Sequence, residues 1–251
     1  TNMKAKVSCT SSYKYHLIFY LFVVVLIMFN IKLKYIYHYY KSKMIKKKCK
    51  KQFQTKKLEF NKKIDSKNFS NKWFLNNFHI FNFFLPIDKN KKFDYLEVGC
   101  FEGLSSFFVL SEYPQVNAYL LDIWDLPNSN SKSLSKDFNF IEKNFDKNLS
   151  NYNFNKIKDD SVIAMRKLLK QNIKFDFIYI DGSHNGEDIL SDAIEAFKIL
   201  KTKGIIFFDD FLQYDSNRDI QSYLGIEIFL SLYSKNLHIE YFQNNLVVRK
   251  K

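Results

Sequence analysis

Glycine and proline are scarce in this chain, six and three among 251 residues, and cysteine occurs only at Cys9, Cys49 and Cys100. Three distant cysteines with no CxxC spacing indicate neither a disulfide framework nor a zinc site, which suits a reducing compartment. The dinucleotide fingerprint G-x-G-x-x-G is missing, which argues against a nicotinamide-dependent Rossmann enzyme. The matching excess of Lys, Asn, Phe, Ile and Tyr points to an AT-rich genome. Against that bias each surviving glycine carries more information. Gly99, Gly103, Gly182 and Gly204 all fall at expected strand boundaries.

Acids are nearly absent from the front of the chain. Residues 1–92 carry 21 lysines and 3 acids, a balance of +18, whereas residues 93–251 carry 18 Lys or Arg and 23 acids, a balance of −5. The front is a basic arm and the back a mildly acidic globular domain. A hydrophobic content of 46% is enough for one core. One long apolar run exists, the 13 residues Leu17–Phe29, where a bilayer needs about 20. Extension through Ile31, Leu33 and Ile36 admits Asn30, Lys32 and Lys34, and such lysines snorkel. Tyr13, Tyr15, Tyr35, Tyr37, Tyr39 and Tyr40 flank the run like an interfacial belt. No small-residue cleavage site follows, which disfavours a signal peptide.

The expected organisation is a tail over 1–16, a membrane anchor over 17–37, a Lys-rich linker over 38–67 and a catalytic domain over 68–251. Lys43–Lys63 holds ten lysines and one acid, which places the C-terminal domain in the cytoplasm and suits anionic head groups. Cytoplasmic placement is also expected if the front segment is not part of the mature chain. The lysine stretch lacks regular aromatic interleaving, so no nucleic-acid partner is expected.

Two apolar runs end in acid. Phe175–Asp181 (F-D-F-I-Y-I-D) leads into Gly182-Ser183-His184, and Gly204–Asp210 reads G-I-I-F-F-D-D. Each suits a strand buried on both faces of a parallel sheet. Gly186–Lys201 between them has helical spacing, with Ile189, Ala193, Ala196, Phe197 and Leu200 on one stripe. A strand–helix–strand unit sets the two strand ends side by side, at the edge where open α/β sheets bind ligands. Asp181, His184, Asp209 and Asp210 then share one rim, a site for a hard cation with a base beside it. Taken singly, Asp181 simply ends a strand, Asp209 and Asp210 cap a helix, and His184 is a surface histidine.

Upstream, Asn68–Leu85 has helical spacing and stops at Pro86. Phe93–Val98 is the first strand and runs into Glu97-Val98-Gly99-Cys100-Phe101-Glu102-Gly103, a glycine turn that allows close backbone approach to a ligand. Val116–Asp122 is a second strand whose terminal acid suits a ribose diol. Asn128–Lys136 reads as a loop, Phe138–Leu149 as a helix and Asn155–Lys158 as a short strand. Asp159-Asp160-Ser161 caps a helix over Val162–Gln171, and Asp160 equally suits an adenine contact. Asp215–Tyr233 reads as a helix, and Leu237–Phe242 with Asn245–Arg249 as a closing hairpin.

These pieces resemble a class I S-adenosylmethionine-dependent methyltransferase, of the family containing the macrolide-sugar and cephalosporin-pathway O-methyltransferases, relatives of the catechol type. The resemblance covers about residues 68–251. It rests on W-F-L-N-N-F, Y-L-E-V-G-C-F-E-G-L-S-S, L-L-D-I-W, K-D-D-S, F-D-F-I-Y-I-D-G-S-H and G-I-I-F-F-D-D-F. It implies an α/β, Rossmann-like seven-stranded sheet of order 3-2-1-4-5-7-6 with strand 7 antiparallel and helices on both faces. By matching position it implies Glu97, Gly99 and Gly103 at the methionine end of the cofactor, Asp122 on the ribose, and Asp160 with Ser161 near the adenine. Asp181, Asp209 and Asp210 would hold Mg²⁺, and His184 would be the general base. Asp159 stands where the family usually has glycine, and Cys100 where it commonly has serine. The implied activity is O-methyl transfer to a hydroxyl of a sugar, glycan or glycosylated metabolite. A non-catalytic, membrane-tethered relative is the alternative, and an oligomer is compatible with either.

Overall fold

A computed structural model of the chain describes residues 35–124, 138–212, 214–215 and 220–251. Its centre is a seven-stranded sheet. The strands, in chain order, are β1 (Asp94–Val98), β2 (Asn117–Asp122), β3 (Asn155–Lys158), β4 (Phe175–Ile180), β5 (Leu200–Phe208), β8 (Leu237–Phe242) and β9 (Leu246–Lys250). A separate two-stranded ribbon, β6 (Tyr214–Asp215) with β7 (Ile220–Gln221), lies between β5 and the last helix. The sheet order is β3-β2-β1-β4-β5-β9-β8. All pairings are parallel from β3 to β5, and β9 runs antiparallel to both neighbours. With β8 and β9 counted as the sixth and seventh strands, this is the 3-2-1-4-5-7-6 order with strand 7 antiparallel.

Alternation along the strands sorts the core into two layers. Tyr95, Phe177, Tyr179 and Phe207 face one side, and Leu96, Val98, Ile178, Ile180, Ile206 and Phe208 the other. The aromatic side is covered by α1 (Ile36–Ile64), α2 (Phe78–Phe84), α3 (Leu104–Glu112) and α4 (Phe138–Leu149). The aliphatic side is covered by α5 (Ser161–Lys170), α6 (Gly186–Ile199) and α7 (Ser222–Leu232).

Several expectations change. Residues 36–64, within the stretch read mainly as a linker, form one helix that packs on α2 and β8. Its buried side chains, Ser42, Cys49, Phe60 and Ile64, lie on one stripe while most of its lysines face outward. Asn68–Leu85 is not one helix: a 3₁₀ turn, Trp73–Asn76, is followed by α2. Its leading backbone donors go elsewhere, Asn68 N to Asn148 Oδ1 at 2.8 Å and Ser70 N to Glu102 Oε2 at 2.5 Å. The helix expected from Asp215 starts only at Ser222, because Gln221 N bonds to the His184 carbonyl at 3.0 Å.

The membrane-anchored placement is also corrected. Among the described residues no helix is long and apolar enough to cross a membrane. Leu17–Phe29 and Asn128–Lys136 lie outside the described residues. Tyr37, the last residue of the expected span, sits in the lysine-rich α1 instead.

Candidate active site

The site forms where β1 and β4 end side by side, the point at which the strand order reverses. Gly99 leaves β1 with φ +87°, and a Cβ there would collide with the Asp181 carbonyl. Only glycine fits both conditions. The turn continues through Phe101 (φ 50°) to Gly103 (φ +82°), which opens α3. Asp122, at the end of β2, fixes this turn. Its Oδ2 accepts from Cys100 N and Phe101 N, both at 2.8 Å, and its Oδ1 from Trp124 N at 2.9 Å. Burial outweighs these donors and raises the Asp122 pKa. Trp124 Nε1 donates to the Phe101 carbonyl at 2.9 Å.

Glu97 takes a different position from a ligand-lining one. Its side chain is fully buried on the aromatic face and accepts from Tyr95 Oη at 2.9 Å, Ser106 Oγ at 2.8 Å and Ser105 Oγ. Burial pushes its carboxyl up to about 7 despite these donors. The carboxylate therefore clamps β1 to α3. Asp160 caps α5, accepting from Ile163 N at 3.0 Å. Ser161 turns away toward α6, donating to Asp192 Oδ1 at 2.5 Å.

Asp192 is 2% exposed, and burial raises its carboxyl to about 7. A folded-state pKa above the unfolded one means that stability is fullest below about pH 4 and falls as pH rises toward 7. The expected loss from this group is roughly 2–4 kcal/mol. Asp192→Asn should flatten that part of the profile, read from urea midpoints at pH 4.5 and 7.5 against the unmutated chain. An unchanged slope would remove Asp192 as its source.

At the rim, Asp181 follows β4, and Asp209 and Asp210 follow β5. Asp209 is 5% exposed. Its Oδ1 accepts from Asn77 Nδ2 at 2.6 Å, Asn245 Nδ2 at 2.5 Å and Asp210 N at 2.8 Å. Tyr179 Oη lies 2.5 Å from Asp209 Oδ2 and 3.0 Å from Asp181 Oδ2. A phenol has one hydrogen, so it cannot serve both carboxylates. Burial, followed by the charges of Asp209 and Asp210, holds Asp181 well above the usual carboxylate range. Burial and then Asp209 push Asp210 up to about 6. Asp209 is well supplied with donors, whereas Asp181 and Asp210, crowded against it, have few, and such carboxylates are chemistry that a hard cation satisfies. Among the described residues, no group of three or more His, Cys, Asp or Glu side chains is placed to hold a metal ion.

His184 closes the rim. Its carbonyl accepts from Gln221 N and, at 3.2 Å, from Ser222 Oγ, which ties its backbone to the start of α7. Its Nδ1 is buried without a hydrogen-bond partner. Burial lowers the ring pKa, with Asp209 opposing, so the imidazole is neutral at pH 7. Tyr179, Asn77, Asn245 and Glu102 were not legible as site residues. Tyr179 reads as a core aromatic, and the asparagines reach Asp209 from 132 and 36 residues away. Glu102 is buried and holds Ser70 N and Asn144 Nδ2, tying the segment before the 3₁₀ turn to α4.

Residues 96–211 match the model of a family described as a methyltransferase domain. No curated protein matches the chain in sequence. Among solved structures, the O-methyltransferase from Bacillus cereus in complex with SAH is 13% identical, covering 78% of this chain and 90% of that one, with a TM-score of 0.52. A putative rRNA-methylase from Clostridium thermocellum is 16% identical over 72% and 98%, with a TM-score of 0.50. MycE methyltransferase from the mycinamycin biosynthetic pathway is 18% identical over 76% of this chain, with a TM-score of 0.49. The chain spans about half the length of MycE, 53%. At these identities the structural likeness speaks for the fold.

Proposed function

Because this chain belongs to the class I S-adenosylmethionine-dependent methyltransferases, we propose that it moves the sulfonium methyl to a hydroxyl oxygen of a sugar, glycan or glycosylated metabolite. The observation that carries the oxygen-directed reading is the rim itself. Asp181 lies against Gly99 at the start of the glycine turn, Asp209 and Asp210 follow the neighbouring strand β5, and His184 comes three residues after Asp181. Carboxylates with a neutral histidine suit the deprotonation of a hydroxyl, and a methyl already activated as a sulfonium needs mainly alignment. The sugar or glycan class rests on the sequence resemblance.

In this reading the turn and Asp122 receive the cofactor, with Gly99 and Gly103 giving the backbone room to approach and Asp122 accepting from ribose hydroxyls. Glu97 acts through β1 and α3, and Asp160 and Ser161 shape the start of α5 near the adenine. The rim carboxylates would hold Mg²⁺, which when bound acidifies and orients a substrate hydroxyl. His184 takes the hydroxyl proton.

Calorimetry on the full chain tests this. S-adenosylmethionine should bind with micromolar affinity, and Asp122→Asn should weaken it about 10- to 100-fold, the 1.5–3 kcal/mol of a charged hydrogen bond. Absence of cofactor binding by a folded chain would defeat the proposal. Cofactor binding without transfer to any hydroxyl acceptor would defeat its oxygen-directed part.

A further inference from the structure

The end of α3 opposite the glycine turn, about 13 Å along the helix from Gly103, gathers more cations than anions. Three lysines converge there on one carboxylate. Glu112 takes Lys56 at 2.9 Å and Lys63 at 3.0 Å, both from α1, while Lys89, from the loop between α2 and β1, stays at 3.9 Å. Lys56 also donates to Asn82 Oδ1 at 2.8 Å. Lys89 is therefore the least compensated of the three. Its Nζ lies 3.9 Å from the centre of the Tyr113 ring and 2.7 Å from Tyr113 Oη. That hydroxyl gives its single hydrogen to the Pro86 carbonyl at 2.8 Å and offers Lys89 only a lone pair. Burial keeps the phenol protonated, so it brings no counter-charge. Asp88, the neighbouring acid, accepts instead from Asn90 N at 2.9 Å. Burial, followed by Lys56, pushes the Lys89 amine down to about 7, with Glu112 opposing. About half of it is then unprotonated at neutral pH, where an ordinary lysine is so about once in 10³.

We propose that Lys89 is a modification site for carbon dioxide, whose carbamate is held by Lys56 and Lys63. In the step the amine lone pair forms the N–C bond, one C=O electron pair of CO₂ moves onto oxygen, and one N–H proton leaves to solvent. The product carries a single negative charge. Two carboxylates, Glu112 and the carbamate, then face two ammonium groups, Lys56 and Lys63, and the cluster becomes neutral. An acetyl group on the same nitrogen would carry no charge and would leave the surplus cation in place, which is why the cluster suits CO₂ and not an acyl donor. Because Lys56 and Lys63 belong to α1, the carbamate would also tie that helix to the loop before β1. The inference stands apart from the methyl-transfer reading, since these residues gather at the far end of α3.

The test is carbon-13 NMR of the full chain in ¹³C-bicarbonate between pH 7 and 8.5, with thermal unfolding of each variant alongside. A carbamate resonance should appear that Lys89→Arg removes. The terminal α-amino group, with an ordinary pKa near 8, gives a carbamate of its own, which Lys89→Arg leaves in place. A spectrum with that second resonance alone, or one unchanged by Lys89→Arg, overturns the inference. Lys56→Gln/Lys63→Gln should lower the occupancy about tenfold or more, the size of one charged hydrogen bond lost, and unchanged occupancy overturns the inference as well. If the variants do not fold, the unmutated chain decides. Limiting acetic anhydride at pH 7, followed by peptide mass spectrometry, should label Lys89 about tenfold faster than the exposed Lys51. Equal or slower labelling of Lys89 overturns the inference.

Discussion

Replacing His184 with alanine is expected to lower kcat by about 10²- to 10⁴-fold, the range of a lost general base, with cofactor affinity almost unchanged. The expectation comes from how the residue is held. Its carbonyl accepts from Gln221 N and Ser222 Oγ, which fixes its backbone to the start of α7. One ring nitrogen, Nδ1, is sealed from solvent, which leaves Nε2 to meet an acceptor hydroxyl. Burial keeps the ring below its ordinary pKa. The neutral form needed of a base is therefore populated at pH 7, and kcat/KM should fall only on the acid side of about 6.5. The measurement is turnover of His184→Ala and His184→Gln with the first acceptor that the unmutated chain methylates, over pH 5–9. A variant that keeps more than roughly a tenth of the rate, or the same acid limb, would take the base role from His184.

The strands that build this rim were legible because each carries its own signal. Phe175–Ile180 and Gly204–Phe208 are apolar on both faces and are bounded by acids or glycine, and the helix between them has an uninterrupted stripe. Glycine was informative because it is rare: Gly99 marks a close approach to the Asp181 carbonyl that no other residue tolerates. The side-chain network was not legible. Glu97 sits where a residue could line the cofactor, yet Tyr95, Ser105 and Ser106 turn it into the core. Two of those partners lie a helix away, so strand spacing does not reveal them. Asn77 and Asn245 gave no signal for the same reason. The lysine helix was misread by weighting charge over period. Ile45, Cys49, Phe53, Phe60 and Ile64 recur at intervals of four or seven, a narrow stripe beneath eleven lysines in residues 36–64.

That stripe supports a second large effect. Phe60→Ala should destabilise the whole domain by about 3–5 kcal/mol, the usual cost of emptying a buried aromatic site. Phe60 is 2% exposed. Its ring stacks on Phe78 at 5.5 Å and meets Phe108 edge-on at 5.1 Å, with Phe107 and Phe74 at 5.9 and 6.3 Å. These partners lie on α2, α3 and the 3₁₀ turn, so the cavity would open at the junction of three elements with little room to collapse. Ion pairs add to the seam, Lys56 and Lys63 on Glu112 at 2.9 and 3.0 Å. Being partly exposed, they contribute under about 1 kcal/mol each. The aromatic contact is therefore what makes α1 part of the domain. In a chain of this size the loss should lower Tm by roughly 10 °C, while Lys51→Ala on the outward face should stay within about 0.5 kcal/mol. Urea unfolding followed by near-ultraviolet circular dichroism separates the two. A Phe60→Ala midpoint equal to that of Lys51→Ala would mean that α1 is only tethered, and that the catalytic fold stands without it.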